Sequence, residues 1–516
     1  MKKSPNLICP AVLMALLIGF LRLDLAAQSP AAPPIETLAS LQTLLSNHVF
    51  QLRLSAAALG VKIVSLDTGK TIFDHHAHKL LKPASNAKLY TGALALDRLG
   101  PEYRIKTSLY AAAKPTDDGT LEGDLIVYGR GDPSFTARFH DGDYLKPLTT
   151  LLDALVAAGV KRINGDLVGD ESYFHGPPLG ESWTWDDLQE YYGAEVSALT
   201  IQDNVVDLAF RPAAEVGKPC QISTKPTTDY LTFINRTTTI TNGGKRSISL
   251  YRPLGENTVY VHGSLPLGGA DQAEAVAVHQ PARWFVTLFK EALAKRGTTV
   301  TGKLRTVNWL DREASPVDYA KLVEIAAVES RPLSEILPKM MKPSQNLYAQ
   351  LLLLQVGATQ NPKLETGTTE EAGLAELNKF LGEIGLKRGE VFLQEGSGLS
   401  RTALLTPNAT VTLLQHMTKH RHADVFRDAL PIAGVDGTLR SRLKGTLAEK
   451  NARAKTGSLG FVSTLSGYIT TAANERLAFS IMLNNYHATD ATHSGHAEVD
   501  ALVAMLARFS GRSDEK

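Results

Sequence analysis

Cysteine is nearly absent from this chain, whose 516 residues include only Cys9 and Cys220. Cys9 lies inside an N-terminal apolar run, and the one remaining cysteine cannot form an internal disulfide. No histidine flanks Cys220 and its neighbours, residues 217–219, are typical of a turn, so we interpret it as structural and not as a nucleophile. Stability must therefore come from packed cores, which a chain of this length can form.

An excess of charge of one sign is also lacking. Lys and Arg number 54 against 53 Asp and Glu, a formal net charge of +1, so we predict no nucleic-acid partner. The cluster Asp74, His75, His76 and His78 lacks the spacing of a known metal site, and we predict no metal. The G-x-S-x-G motif of Ser-His-Asp hydrolases is missing too.

Long apolar runs occur only at the N-terminus. Lys2 and Lys3 precede the apolar residues 7–21, and small residues follow at 26–27. This layout predicts a secretory signal peptide over residues 1–27 and an exported protein, periplasmic or otherwise extracytoplasmic. The alternative is an uncleaved N-terminal anchor, because the run is only a little short of a spanning helix.

Ser85-Asn86-Ala87-Lys88 is the first of three motifs with chemical meaning. Pro83 precedes a helical pattern that runs to Leu99, and a spacing of three residues places Lys88 on the same helical face as Ser85. A serine hydroxyl becomes a good nucleophile when a lysine amine with a lowered pKa accepts its proton, and burial of the helix would lower that pKa. The alternative is a helix-capping serine beside an unrelated lysine.

Ser344-Gln345-Asn346 is the second motif. The pattern predicts helices over residues 333–341 and 347–356, with the motif in the connection between them. Ser344 would relay a proton between Lys88 and a leaving amine, and the Asn346 amide would hold the substrate backbone. These residues could instead only cap the second helix.

Lys455-Thr456-Gly457-Ser458 contains the third motif, in the first of three predicted strands over residues 452–460, 463–471 and 476–484. Gly457 would leave room for a substrate backbone, while Lys455 with the Thr456 and Ser458 hydroxyls would bind a carboxylate. The N–H groups of Ser85 and Ser458 would form an oxyanion hole. The alternative is a solvated lysine beside a hairpin.

The order S-x-x-K, S-x-N and K-T-G is that of penicillin-interacting serine enzymes. The chain resembles the class C low-molecular-mass penicillin-binding proteins, the D-alanyl-D-alanine carboxypeptidase/endopeptidase family, over nearly all of its length. It departs from the family pattern at Gln345 and Glu395, where aspartate is common. Outside the motifs, the matching stretches are Gly131-Asp132-Pro133, Ile163-Asn164-Gly165-Asp166, Ser197-Ala198-Leu199, Gly396-Ser397-Gly398-Leu399-Ser400 and residues 431–438.

This resemblance implies an α+β fold. The catalytic domain, with an antiparallel sheet flanked by helices like that of β-lactamases, would take residues 28–111 and 313–516. Two nested, strand-rich domains would be inserted between the first and second motifs. The outer one would comprise residues 112–220 and 279–312, and the inner one residues 221–278.

The resemblance also implies an acyl-enzyme on Ser85 that forms from peptidoglycan stem peptides ending in D-Ala-D-Ala, or from the crosslinks between them. β-Lactams would inhibit covalently, and no cofactor would be required. A β-lactamase or esterase of the same fold and a non-catalytic wall-binding protein are the alternatives. Peripheral membrane association, the oligomeric state and the balance of carboxypeptidase and endopeptidase activity stay open from sequence alone.

Overall fold

Helices and strands are interspersed along the chain in a computed structural model that describes residues 34–364, 366–488 and 490–515. The predicted signal peptide, residues 1–27, lies outside the described residues. Among the described helices, none has the length and apolar character needed to cross a membrane.

The helices are α1 (Leu38–Val49), α2 (Ala87–Leu99), α3 (Thr149–Ala157), α4 (Pro281–Lys295), α5 (Trp309–Ala314), α6 (Leu333–Met341), α7 (Asn346–Gln360), α8 (Thr369–Glu383), α9 (Pro407–Met417), α10 (Ala423–Asp428) and α11 (Gly495–Ala507). The strands are β1 (Ala58–Ser65), β2 (Thr71–His75), β3 (Lys106–Ala111), β4 (Thr120–Glu122), β5 (Leu125–Tyr128), β6 (Arg162–Asn164), β7 (Leu167–Asp170), β8 (Val205–Arg211), β9 (Gln221–Lys225), β10 (Thr232–Ile240), β11 (Ser247–Tyr251), β12 (Thr258–Pro266), β13 (Gln272–Ala277), β14 (Thr299–Val300), β15 (Leu304–Val307), β16 (Val323–Glu329), β17 (Val391–Phe392), β18 (Leu404–Leu405), β19 (Arg453–Leu459), β20 (Val462–Thr470) and β21 (Arg476–Asn484).

A five-stranded antiparallel sheet joins the two ends of the described chain, in the order β19-β20-β21-β1-β2. β1 pairs with β21 along its full length, from Ala58 opposite Asn484 to Ser65 opposite Leu477. Segments near both ends of the described chain therefore form one layer, and the chain between them must leave this sheet and return to it.

Both faces of this sheet are covered by helices. On β21, Leu477, Phe479 and Ile481 pack into the same core as α1 and α11, whereas Ala478 and Met482 pack into the core formed by α2, α6, α7, α8 and α9. Side chains of a strand alternate between its two faces, so a strand that is buried on both faces reads as a nearly continuous apolar run. This arrangement of helix, sheet and helix confirms the predicted α+β fold.

The long segment between the first two motifs forms further sheets around a core of its own. A five-stranded sheet has the order β15-β7-β5-β3-β16, and three-stranded sheets have the orders β14-β6-β4, β13-β8-β9 and β10-β12-β11. Helix α4 contributes Trp284, Phe285 and Phe289 to the shared core. Cys220 is buried in the same core, in keeping with the structural role predicted for it.

Strand pairing crosses the limits that we predict for the inserted domains. β3 and β16 fall in the ranges assigned to the catalytic domain, yet β3 pairs with β5 and with β16. β9 and β13 fall in the predicted inner domain, yet both pair with β8, which lies outside it. The domain limits stay a prediction, and the pairing favours limits that keep these strands together.

Leu465→Ala should lower the free energy of unfolding by about 2–5 kcal/mol, because it leaves a cavity in a packed core. Leu465 is fully buried on β20, in the core shared with α1 and α11. Urea denaturation followed by circular dichroism measures the loss. The matched control is Leu447→Ala, whose side chain is 59% exposed and whose effect should stay within about 0.5 kcal/mol. Equal losses in both variants would contradict this account of the core.

Candidate active site

Ser85 lies in a 3₁₀ turn, Ala84–Asn86, directly before α2. The turn is held from the facing sheet, because the Thr464 hydroxyl on β20 donates to the Pro83 carbonyl at 2.9 Å and accepts from the Asn86 amide. Ala84 takes a left-handed conformation with φ of 47°, which is uncommon outside glycine and is typical of constrained sites. Ser85 is not the capping residue of α2, so the alternative of a helix-capping serine loses its support.

Lys88 lies in the first turn of α2 and is completely buried. Its Nζ donates to Ser85 Oγ at 2.8 Å, to Asn346 Oδ1 at 2.6 Å and to the Ser397 carbonyl at 2.7 Å. Burial lowers the pKa of Lys88 to about 7, because a charged amine loses its hydration there. Such an amine can accept a proton near neutral pH, and Ser85 Oγ is within its reach.

The second motif begins in a loop and ends in a helix. Ser344 lies in the loop after α6 with φ of 65°, and Asn346 is the first residue of α7, where the sequence pattern places it in the connection. Gln345 caps α7 by accepting from the Leu347 N–H at 3.3 Å. Asn346 Nδ2 donates to the Tyr192 carbonyl at 2.8 Å, which leaves Oδ1 facing Lys88. A backbone carbonyl of the inserted segment thus orients the Asn346 amide.

The third motif lies on β19, at the edge of the five-stranded sheet. Lys455 is completely buried, and its Nζ donates to Ser344 Oγ at 2.8 Å and to the Thr456 carbonyl at 2.7 Å. Burial, with a smaller effect from the nearby charge of Lys88, holds the pKa of Lys455 well below its usual range. Ser344 therefore contacts Lys455. The relay of a proton from Lys88 through Ser344, which the motifs suggest, stays a prediction.

Gly457 explains how β19 and the Ser85 turn approach each other so closely. A Cβ atom at this position would lie 2.6 Å from the Pro83 carbonyl oxygen and 3.0 Å from Ala84 Cβ. Any side chain would therefore displace the turn that carries Ser85, so the close approach requires glycine.

Hydroxyl groups from all three motifs face one open cleft of about 420 Å³. Thr456 Oγ1 donates to Thr438 Oγ1 at 2.7 Å, and Ser458 Oγ lies 2.9 Å from His496 Nε2. The amines of Lys88 and Lys455 lie behind this surface, since both side chains are completely buried. The residues of the motifs that line the cleft are Ser85, Ser344, Asn346, Thr456 and Ser458.

Two features at or beside the cleft are not predicted from the sequence. An ion pair lines it, in which Arg401 Nη2 donates to both carboxylate oxygens of Asp187 at 2.9 Å. The Ser397 carbonyl, which accepts from Lys88, comes from a stretch noted for its resemblance but given no role. Arg401 directly follows this stretch, residues 396–400. That position beside a family-like stretch is the one local signal that could have identified Arg401. Asp187 is about 210 positions away, and only the fold brings it near.

The histidine cluster near the N-terminal hairpin has protein partners. Lys62 donates to Asp74 at 2.9 Å, and His78 lies 2.9 Å from Glu390. Within residues 34–364, 366–488 and 490–515, no group of three or more His, Cys, Asp or Glu side chains is arranged to hold a metal ion.

Comparison with known proteins agrees with this geometry. The profile of the D-Ala-D-Ala carboxypeptidase 3 (S13) family matches residues 41–507. The chain is 34% identical over 472 residues to the D-alanyl-D-alanine carboxypeptidase of Actinomadura sp. (strain R39), covering 89% of this chain and 82% of the relative. It is 28% identical over 429 residues to D-alanyl-D-alanine carboxypeptidase DacB of Haemophilus influenzae, covering 83% of this chain and 85% of the relative.

Solved structures agree as well. The crystal structure of penicillin-binding protein 4 (dacB) from Haemophilus influenzae superposes with a TM-score of 0.74 at 27% identity, covering 90% of this chain and 97% of the other. The same protein complexed with a β-lactam superposes with a TM-score of 0.69 at 25% identity. The family resemblance predicted from the motifs is thereby confirmed. With a family match that spans most of its length and a relative more than 30% identical, the chain belongs to the D-Ala-D-Ala carboxypeptidase 3 (S13) family.

Proposed function

We propose that this protein is a serine-type D-Ala-D-Ala carboxypeptidase and/or D,D-endopeptidase that acts on peptidoglycan stem peptides through an acyl-enzyme on Ser85. The observation that carries the proposal is the 2.8 Å contact between Ser85 Oγ and the buried amine of Lys88. The names of the relatives support the substrate class, since they are D-alanyl-D-alanine carboxypeptidases.

Acylation begins when Ser85 Oγ attacks the carbonyl carbon of the penultimate D-Ala and its proton passes to Lys88 Nζ. Lys88 can accept this proton because burial disfavours its charged form. The N–H groups of Ser85 and Ser458 hold the oxyanion, since both residues border the same cleft. The C–N bond then breaks, and the acyl group stays on Ser85.

The leaving amine takes its proton from Ser344, which recovers one from the Lys88 ammonium, so that the proton lost by Ser85 ends on the amine. Ser344 also contacts Lys455 at 2.8 Å. Lys455 holds the Ser344 hydroxyl by this hydrogen bond from behind the cleft surface. Its amine is enclosed there, and burial lowers its pKa. Water then hydrolyses the ester on Ser85 and releases the shortened stem peptide. Carboxypeptidase and endopeptidase action share these steps and differ only in what the leaving amine carries.

The terminal carboxylate of the substrate binds at the Thr456 and Ser458 hydroxyls on β19. Both side chains line the cleft, and their partners Thr438 and His496 orient the two hydroxyls. β-Lactams carry a carboxylate beside a strained amide and would acylate Ser85 in the same orientation. The related Haemophilus influenzae protein has been crystallised in complex with a β-lactam, which supports this part of the proposal.

Substrate location fits the predicted export signal. Peptidoglycan lies outside the cytoplasmic membrane, so an enzyme that acts on it must be exported. The basic and apolar N-terminal residues predict this export, and we propose a periplasmic or extracytoplasmic location after cleavage near residue 27.

Ser85→Ala should abolish release of D-Ala from a pentapeptide stem and release of monomers from a crosslinked dimer, because the variant lacks the nucleophile. Mass spectrometry of the digests measures both products, and a fluorescent penicillin measures covalent labelling. Ser55→Ala, a change at an exposed serine, should behave as wild type. Covalent labelling of the Ser85→Ala variant at another serine would overturn the assignment, and a dimer left intact by the wild-type protein would remove the endopeptidase part.

The rate of acylation should rise by about tenfold between pH 6 and pH 8, since the neutral form of Lys88 increases as pH passes its pKa of about 7. Stopped-flow measurement of kcat/KM for a chromogenic β-lactam across this range gives the profile. A flat profile between pH 6 and pH 8 would mean that Lys88 is not the base.

Gly457→Ala should slow penicillin labelling by at least about tenfold, because the new methyl group would collide with the Pro83 carbonyl and move Ser85. Gly382→Ala is the matched control, since a Cβ at that position on α8 meets no atom within 4 Å. Labelling rates of both variants are compared at equal protein concentration. Normal labelling of Gly457→Ala would show that the turn tolerates the displacement.

A further inference from the structure

Glu395 is a buried carboxylate that takes no part in the mechanism above, yet its loop contacts Lys88, the general base of that mechanism. Glu395 is 1% exposed and follows β17. Its carboxylate oxygens accept from the N–H groups of Ser397 at 2.7 Å, Gly398 at 2.5 Å and Ser400 at 3.4 Å. Three converging backbone N–H donors form an anion-binding site, and the carboxylate of Glu395, from the same loop, occupies it.

The loop that Glu395 organises contacts the catalytic helix directly. The Ser397 carbonyl accepts from Lys88 Nζ at 2.7 Å, and the Gly396 carbonyl accepts from the Thr91 hydroxyl at 2.6 Å, one turn further along α2. Gly398 has a φ of 81° and lies so close to the Ala84 carbonyl that it has no room for a side chain. The loop therefore touches both Lys88 and the turn of Ser85.

The charges around Lys88 are unbalanced without Glu395. Lys455 on β19 is a second buried amine, and burial together with the nearby charge of Lys88 lowers the pKa of Lys455. Glu370 on α8 is connected to this loop through Gln350. The Gln350 amide donates to Glu370 and accepts from the Gly396 N–H at 2.7 Å. Arg401 is paired with Asp187 at the cleft. The negative charge of Glu395 is the one that attracts the Lys88 ammonium and opposes the effect of burial.

We propose that Glu395 is a positioning residue for Lys88. Its carboxylate holds the loop at residues 396–400 so that the Ser397 carbonyl meets the Lys88 amine, and its charge compensates the proton that Lys88 takes from Ser85. The negative charge is what both roles need: glutamine would keep the length of the side chain but lose the charge, whereas aspartate, which is common at this position in the family, would keep it. This inference rests on the proposed function, since the reaction it concerns is acylation of Ser85.

The test compares the pH dependence of kcat/KM for β-lactam acylation in the wild-type protein, Glu395→Gln and Glu395→Asp. In Glu395→Gln the acidic limb of the profile should move to lower pH by about one unit, because loss of the negative charge favours the neutral form of Lys88. The plateau should also fall by about tenfold, since an amide cannot accept all three N–H donors. In Glu395→Asp, which keeps the carboxylate, both the plateau and the acidic limb should stay close to those of the wild-type protein.

Glu475→Gln is the matched control for the loss of a buried carboxylate. Glu475 is fully buried at the turn between β20 and β21, where it accepts from the Ser65 hydroxyl at 2.5 Å and from the Ser513 N–H at 2.9 Å. This variant should lose stability in thermal melts but keep the wild-type pH profile. A purely structural role for Glu395 would give the same pattern as this control.

An unshifted acidic limb in a folded Glu395→Gln variant would overturn the proposed charge effect. If that variant does not fold, an acidic limb displaced by about one pH unit in Glu395→Asp, which keeps the charge, would overturn the proposal. These outcomes are separable from a failure of the proposed function, because in that case the wild-type protein itself would not be acylated at Ser85.

Discussion

The burial of the Lys88 amine is the interaction on which the site depends. A buried amine that is not hydrated needs hydrogen-bond acceptors within the protein. For Lys88 these are Ser85 Oγ, Asn346 Oδ1 and the Ser397 carbonyl. Each belongs to a different part of the chain, so the amine joins the first motif, α7 and the loop at residues 396–400. The same loss of hydration that makes Lys88 costly to bury makes it a base near neutral pH.

The sheet makes this convergence possible. β1 and β2 from the N-terminal part pair beside β21, and β19 at the other edge lies against the Ser85 turn. Helices α2 and α7 pack on one face of the sheet, so the long inserted segment between them can form its own core without separating them. It still reaches the site, because the Tyr192 carbonyl orients the Asn346 amide.

Two buried lysines have different roles in the proposed mechanism. Lys88 contacts Ser85, whereas Lys455 contacts Ser344, and both amines are enclosed. Burial and, to a smaller extent, the charge of Lys88 lower the pKa of Lys455, whereas the charge of Glu395 opposes the effect of burial on the pKa of Lys88. The proposed mechanism therefore combines a nucleophile and a neutral base, Ser85 and Lys88, with a proton donor for the leaving amine, Ser344.

The family resemblance was enough for the fold class, and local pattern was enough for the elements around each motif, because Ser85 to Lys88 spans one helical turn and a buried strand reads as an apolar run. Local pattern placed Asn346 one position outside its helix and did not predict the contact of Ser344 with Lys455. The Arg401 pair with Asp187, the Ser397 carbonyl and the burial of Lys455 were decided by tertiary structure alone. Those contacts join residues far apart in the chain, and burial is a property of what packs around a side chain and not of its neighbours in sequence.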